Sequence, residues 1–154
     1  MKETEKAFIA GFLDADGSVY VRLKPNKSYR FDFQVAPYIV FFQKEEKAKV
    51  LAYIKNLLKV GYLRTRKDGV VEYTIGDVDG LKKVIKTTIL YSVLKKEQLQ
   101  LIDQILSFKK KIRNGKDFLK LAKMIDQFEI LNYSKKRTIN SQEVEVALKR
   151  KKLL

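Results

Sequence analysis

The chain has no histidine and no cysteine, and only two prolines and seven glycines in 154 residues. Without cysteine it forms no disulfide and does no thiol chemistry, as suits an intracellular protein. Without either residue it cannot build a zinc finger, a zinc deaminase, a His-metal nuclease, a Ser-His triad or a cysteine nucleophile. Any metal must be held by oxygen, which points to magnesium, calcium or manganese. No apolar run approaches the about 20 residues of a membrane-spanning helix, and no signal-peptide pattern stands ahead of Thr4. An intracellular protein with no membrane partner is expected, in the cytoplasm of a prokaryote or in an organelle.

What the chain has in excess is positive charge. Thirty-three Lys+Arg against 18 Asp+Glu give a formal net charge of +15, with a pI near 9.8. A polyanion is the partner such a balance fits, and nucleic acid is the first candidate. With 45% apolar residues the chain can bury a sizeable core. No Pro/Gly/Ser linker divides it. A single domain over 1–154 is therefore expected, with its core at about 4–131 and a helical tail at about 132–154.

Hydrophobic spacing changes period along the chain. Residues 5–14 read as a helix, with the small residues Ala7, Ala10 and Gly11 on one side. From Ser18 to Lys24 the period is two. Val19, Val21 and Leu23 take one face; Ser18, Tyr20, Arg22 and Lys24 take the other. After the loop PNKS, Phe31, Phe33, Val35, Ile39 and Phe41 form an apolar face. Arg30, Asp32, Gln34, Ala36, Tyr38 and Val40 form its opposite. Pro37 calls for an edge position or a bulge. Helical spacing returns at 45–59. A second hairpin follows, GYLRTR-KDG-VVEYTI, turned by Asp-Gly. Helices are expected near 79–88, 95–108, 116–131 and 141–149, the last opened by Asn140 and Glu143 in capping-box spacing. The polar face of the two hairpins also carries Arg64, Arg66, Glu72 and Thr74. Arginine and glutamine pair bidentately with guanine and adenine edges, so this face has the chemistry of a groove reader.

One stretch breaks a local rule. In FIAGFLDADGSV, residues 8–19, an apolar helix closes on Asp14 and Asp16. Each carboxylate there opposes the helix dipole by roughly 0.3–1 kcal/mol. A broken rule without visible compensation marks a functional candidate, and something positive is expected beside the pair. An EF-hand loop starting at Asp14 would need glycine at its sixth position and glutamate at its twelfth. Val19 and Pro25 stand there, which excludes it.

IAGFLDADG, residues 9–17, resembles the LAGLIDADG motif of homing endonucleases, and the order αββαββα resembles that family's α+β fold. The likeness extends through KPNKSYRF, Gln43 to Lys47, VGYLRTR and KKEQ to the single-motif homodimeric members. It implies a site-specific DNA endonuclease for intron homing, cutting both strands of a long pseudo-palindrome and leaving short 3′ overhangs. By position, Asp16 matches the metal ligand, aided by the Ala15 backbone carbonyl. Gln43 and Lys47 match residues that organise a water network. Lys95, or Lys96 under a one-residue shift, matches the basic residue near the scissile phosphate. Magnesium is the implied cofactor, with manganese substituting and calcium supporting binding without cleavage. The implied DNA contacts are Ser18, Tyr20, Arg22 and Lys24; Asn26, Ser28, Tyr29 and Arg30; Gln34, Ala36, Tyr38 and Val40; Arg64, Arg66, Glu72 and Thr74; and Lys135 and Arg137. Ala7, Ala10, Gly11 and Asp14 are the implied dimer contacts. Two alternatives stand beside this reading: an RNA-binding intron maturase, and a catalytically inactive DNA-binding regulator.

Overall fold

Helix α1 (Glu3–Asp16) is longer than its apolar spacing predicts, so both acids of the motif lie inside its last turn. Its first turn is fixed by Glu5, whose carboxylate accepts from the Lys2 backbone N–H at 2.7 Å. The computed structural model describes residues 1–132 and 139–154. After α1 come strands β1 (Gly17–Pro25) and β2 (Phe33–Lys44), a 3-10 turn (Glu45–Lys47), and helix α2 (Lys49–Leu58). Strands β3 (Tyr62–Thr65) and β4 (Val70–Ile75) and helix α3 (Val78–Thr88) complete the expected αββαββα order. Helices α4 (Lys96–Lys109), α5 (Gly115–Asp126), α6 (Phe128–Leu131) and α7 (Ser141–Arg150) follow. The single helix expected over 116–131 is two, meeting at Gln127.

The strands form one sheet in the order β1-β2-β4-β3. β2 and β4 are antiparallel, with Val40 opposite Thr74 and Phe42 opposite Glu72; β3 and β4 are antiparallel, with Arg64 opposite Glu72. Alternation assigns the core face correctly: Val19, Val21, Leu23, Phe31, Phe33, Val35, Ile39, Phe41, Val71, Tyr73 and Ile75 are all buried. The edge position or bulge expected of Pro37 takes a different form. β2 is an inner strand, but its ladder with β4 ends at Ile39. Pro37 lies past the end of that ladder, where β4 asks for no N–H.

Two compact units divide the chain: residues 1–19 with 38–100, and residues 20–37 with 101–154. In the first, α1 packs on α3, and α2 on β3 and β4. Phe41 and Tyr73 stack at its centre with ring centroids 5.6 Å apart. In the second, Phe118 of α5 stacks on Phe31 at 4.8 Å and Phe33 at 6.4 Å. Helix α7 packs on α5, and its Val144 and Leu148 are buried, so this helix is part of the unit's core.

Candidate active site and nucleic-acid interface

Nothing basic lies in the last turn of α1, yet the negative helix end is compensated from 80 residues away. The Asp14 carboxylate accepts from Ser92 Oγ at 2.5 Å, and from the backbone N–H groups of Val93 at 2.6 Å, Leu94 at 3.0 Å and Lys95 at 3.0 Å. The Lys95 ammonium donates to the Asp14 carbonyl oxygen at 2.8 Å. Lys95 also stands where α4 begins, its carbonyl accepting from the Leu99 N–H. The negative end of one helix therefore meets the positive end of another, with a lysine added. Burial alone would raise the Asp14 carboxyl; the bonds from Ser92, Val93, Leu94 and Lys95 outweigh it and hold it below its ordinary value. Burial lowers the Lys95 amine, against the Asp14 and Asp16 charges, which favour its protonated form. The clasp is formed by Lys95; Lys96 is exposed.

Asp16 differs from Asp14 in every respect. It is exposed, and among the described residues no hydrogen bond or ion pair engages it. Gly17 follows directly as the first strand residue. A Cβ there would lie 2.5 Å from Leu13 Cδ1 and 2.6 Å from the Leu13 carbonyl oxygen. Only glycine lets the strand leave the helix this closely, which keeps Asp16 at the junction. Gln43 is at the far end of β2, opposite Val71, and its Oε1 accepts from the Lys44 N–H at 2.9 Å. Lys47 is exposed in the 3-10 turn. No hydrogen bond joins either to Asp16 among the described residues.

The outer sheet face is rich in arginine, and much of it is already organised. Glu72 bridges two arginines. Its Oε2 accepts from Arg64 Nε at 3.1 Å and Nη2 at 2.6 Å, while its Oε1 lies 3.5 Å from Arg66 Nη1. Arg66 also pairs with Asp68 at 2.6 Å. In the other hairpin the Arg22 guanidinium sits 5.1 Å from the Tyr20 ring centroid. Asn26 Oδ1 accepts from the Ser28 N–H at 3.0 Å and Ser28 Oγ at 2.7 Å, fixing the β1–β2 loop. Tyr29 is exposed on that loop, and Arg30 stacks over Phe31 at 5.1 Å. Ser18, Lys24, Gln34 and Tyr38 are half-buried.

Four expected site residues are buried, against the exposure a contact residue calls for. Ala36, Val40 and Thr74 share the outer-face alternation but are only 6%, 3% and 8% exposed. Ala10 is fully buried within its own chain, on the helix that packs on α3. Ala7 and Gly11 are exposed, and a Cβ added at Gly11 meets nothing within 4 Å. Lys135 and Arg137 lie outside the described residues.

Sequence reasoning missed two groups. Tyr62, 57% exposed, stands opposite Thr74 in phase with Arg64, and Phe42 is in phase with Gln34 and Tyr38; their even spacing was the available signal. Leu90, Val93 and Leu94 are 79%, 81% and 71% exposed, in the very loop that Asp14 clasps. No periodicity marks that loop.

Residues 9–110 match a family profile described as LAGLIDADG endonuclease. The DNA endonuclease I-CvuI of Chlorella vulgaris is 31% identical over 147 residues, covering 94% of this chain and 89% of that one. The DNA endonuclease I-CreI of Chlamydomonas reinhardtii is 30% identical over 142 residues, covering 92% and 86%. The crystal structure of I-CvuI on its target in 2 mM calcium superposes with a TM-score of 0.93 at 27% identity, covering 99% of this chain and 97% of that one.

Proposed function

The chain belongs to the LAGLIDADG endonuclease family, and we propose that it is a homing endonuclease that cuts both strands of a long DNA target as a homodimer. The observation that carries this reading is the division of labour at the motif. Asp14 is spent on structure, which leaves Asp16 exposed and unengaged at the helix–strand junction, with the Lys95 ammonium held beside the same helix end.

The donor set fits a hard divalent cation, magnesium first. The Asp16 carboxylate and the Ala15 carbonyl would hold it, both being oxygen donors on exposed residues. Among the described residues no three acids come together as a ready-made cage, and magnesium bound here would complete its shell with waters and target phosphates. A divalent ion so held supplies charge to the phosphate and lowers the pKa of water. Lys95 adds a fixed positive charge where the pentacoordinate phosphate becomes more negative. Gln43 and Lys47 bring an amide and an ammonium able to orient water and phosphate.

A double-strand break needs one such acid per strand, and this chain has one motif. The second comes from a second copy docking on exposed Ala7 and Gly11 of α1, which share a helix stripe with Asp14, the residue bonded to the exposed apolar loop of Leu90, Val93 and Leu94. Asp14 clasps that loop to the motif, so the interface and Lys95 are parts of one structure.

Selection of bound duplexes from a randomised pool in calcium, followed by transfer to magnesium, tests the assignment. The expected result is a pseudo-palindromic consensus cut on both strands only after the transfer. A consensus in RNA hairpins but not in duplex DNA would favour the maturase instead.

A further inference from the structure

The positive charge is not concentrated where the target is read. Strands β1 to β4 with their hairpin loops, residues 17–44 and 62–75, hold eight cations and three carboxylates. Residues 109–123, from the end of α4 into α5, hold seven cations and a single carboxylate, Asp117. That carboxylate is occupied in capping, accepting from the Arg113 N–H at 3.0 Å.

Helix α5 sorts its residues sharply. Phe118, Leu121, Ala122 and Ile125 are buried, and Lys116, Lys120 and Lys123 are exposed. At 100° per residue the three lysines fall on one stripe, opposite the buried set. Phe118 stacks on Phe31 and Phe33, which belong to the core side of the first hairpin. Tyr20, Arg22, Lys24 and Gln34 belong to its other side. Within this unit the lysine stripe therefore looks away from the reading face, and one straight duplex cannot touch both. Lys116 and Lys120 have no ion pair among the described residues. Lys123 faces Glu145, whose carboxylate is engaged first by Lys149 at 2.7 Å.

We propose that the outer face of α5 is a second phosphate-backbone surface, holding a further segment of duplex DNA while the sheet holds the target. The inference rests on the sheet being the target-reading face. The stripe extends about 10 Å along the helix at 1.5 Å per residue, a length over which duplex DNA presents about six phosphates at one per 1.7 Å. Lysines that contact only phosphates in this way carry no sequence information, so the second segment can have any sequence. The use of such a surface is to bring a protein with one rare site into contact with two DNA segments at once, so that it passes between them without dissociating.

The test loads the full-length protein, in calcium, onto a bead-bound target duplex and then adds a fluorescent non-specific duplex. The wild type is expected to retain the second duplex. The double variant Lys120→Gln/Lys123→Gln is expected to keep target capture, thermal stability and target cleavage in magnesium. Its log–log salt dependence for second-duplex retention should fall by about two, one per lysine. No retention by the wild type, or equal retention by the variant, would overturn the proposal. So would a matching loss of target capture in the variant, which would make the stripe part of the target interface. Preference for an RNA hairpin over duplex DNA of equal length would overturn the assignment to DNA. If the wild type fails to capture the target at all, the sheet reading itself falls, a result distinct from the others.

Discussion

Two aspartates two residues apart have opposite fates, and their surroundings say why. Asp14 gives both oxygens to Ser92 and three backbone N–H groups, whereas Asp16 gives its oxygens to nothing in the described chain. Asp16→Asn keeps shape and removes charge, so cleavage in magnesium should be lost while target binding survives; a gel-shift beside a cleavage assay reads both. Normal cutting by that variant would remove Asp16 from the metal site. Asp14→Ala should act differently. Hydrogen bonds to a charged acceptor contribute about 1.5–3 kcal/mol, and the exposed Val93 and Leu94 N–H groups can turn to water, so a loss of about that size is expected in urea denaturation. Cleavage should fall as well, because Lys95 loses its anchor, and Lys95→Met should lose cleavage with little change in stability. If Asp14→Ala left stability intact, the clasp would have no energetic content. The sequence exposes the anomaly of the acidic pair but not its resolution, since the partners of Asp14 are about 80 residues away.

At the scale of elements, the sheet was legible because a period of two survives any packing that buries one face. Every residue assigned to the core face of the strands is buried. Alternation says which face a residue takes, but not what covers it. Val40 and Thr74 stand opposite each other on the outer face and are nevertheless covered, as is Ala36. The small residues of α1 show the same limit, because Ala7, Ala10 and Gly11 share one side of the helix, yet Ala10 is buried while Ala7 and Gly11 are exposed. In the second hairpin the arginines were found but their tie to Glu72 was not. That tie gives a graded prediction. Arg64→Ala should relax preference at particular base pairs by about 1–3 kcal/mol. Glu72→Gln should also flatten the preference, since it frees two guanidiniums from one carboxylate, while leaving or raising total affinity. Lys135→Ala or Arg137→Ala should instead weaken all sequences alike and reduce the salt slope by about one. Binding measured on a panel of single-base target variants separates these patterns. Equal losses across the panel for Arg64→Ala would remove the second hairpin from base reading.

For the whole molecule the decisive quantity is the number of motifs. On the proposed mechanism one motif acid per chain cannot serve two strands, and a homodimer would bring two Asp16 side chains together. Gly11 allows this to be tested apart from folding. It is exposed, and a Cβ added there meets no atom of its own chain within 4 Å. Gly11→Leu should therefore leave the monomer's thermal stability within about 0.5 kcal/mol of the wild type, as for other surface substitutions. Ala10→Leu, at a fully buried position, should destabilise the fold itself by about 1–3 kcal/mol through overpacking. The two variants fail for different reasons, which sedimentation with the target duplex resolves. Wild type should sediment as two chains per duplex. Gly11→Leu should yield folded single chains on half-sites that cut neither strand efficiently, although Asp16 is intact. Removing the apolar loop contacts by Leu94→Asp should reproduce that defect, since Leu94 is 71% exposed and its N–H is tied to Asp14. Full double-strand cutting by Gly11→Leu would mean that the two-fold axis does not pass beside α1, and a competent complex with one chain per duplex would overturn the dimer altogether.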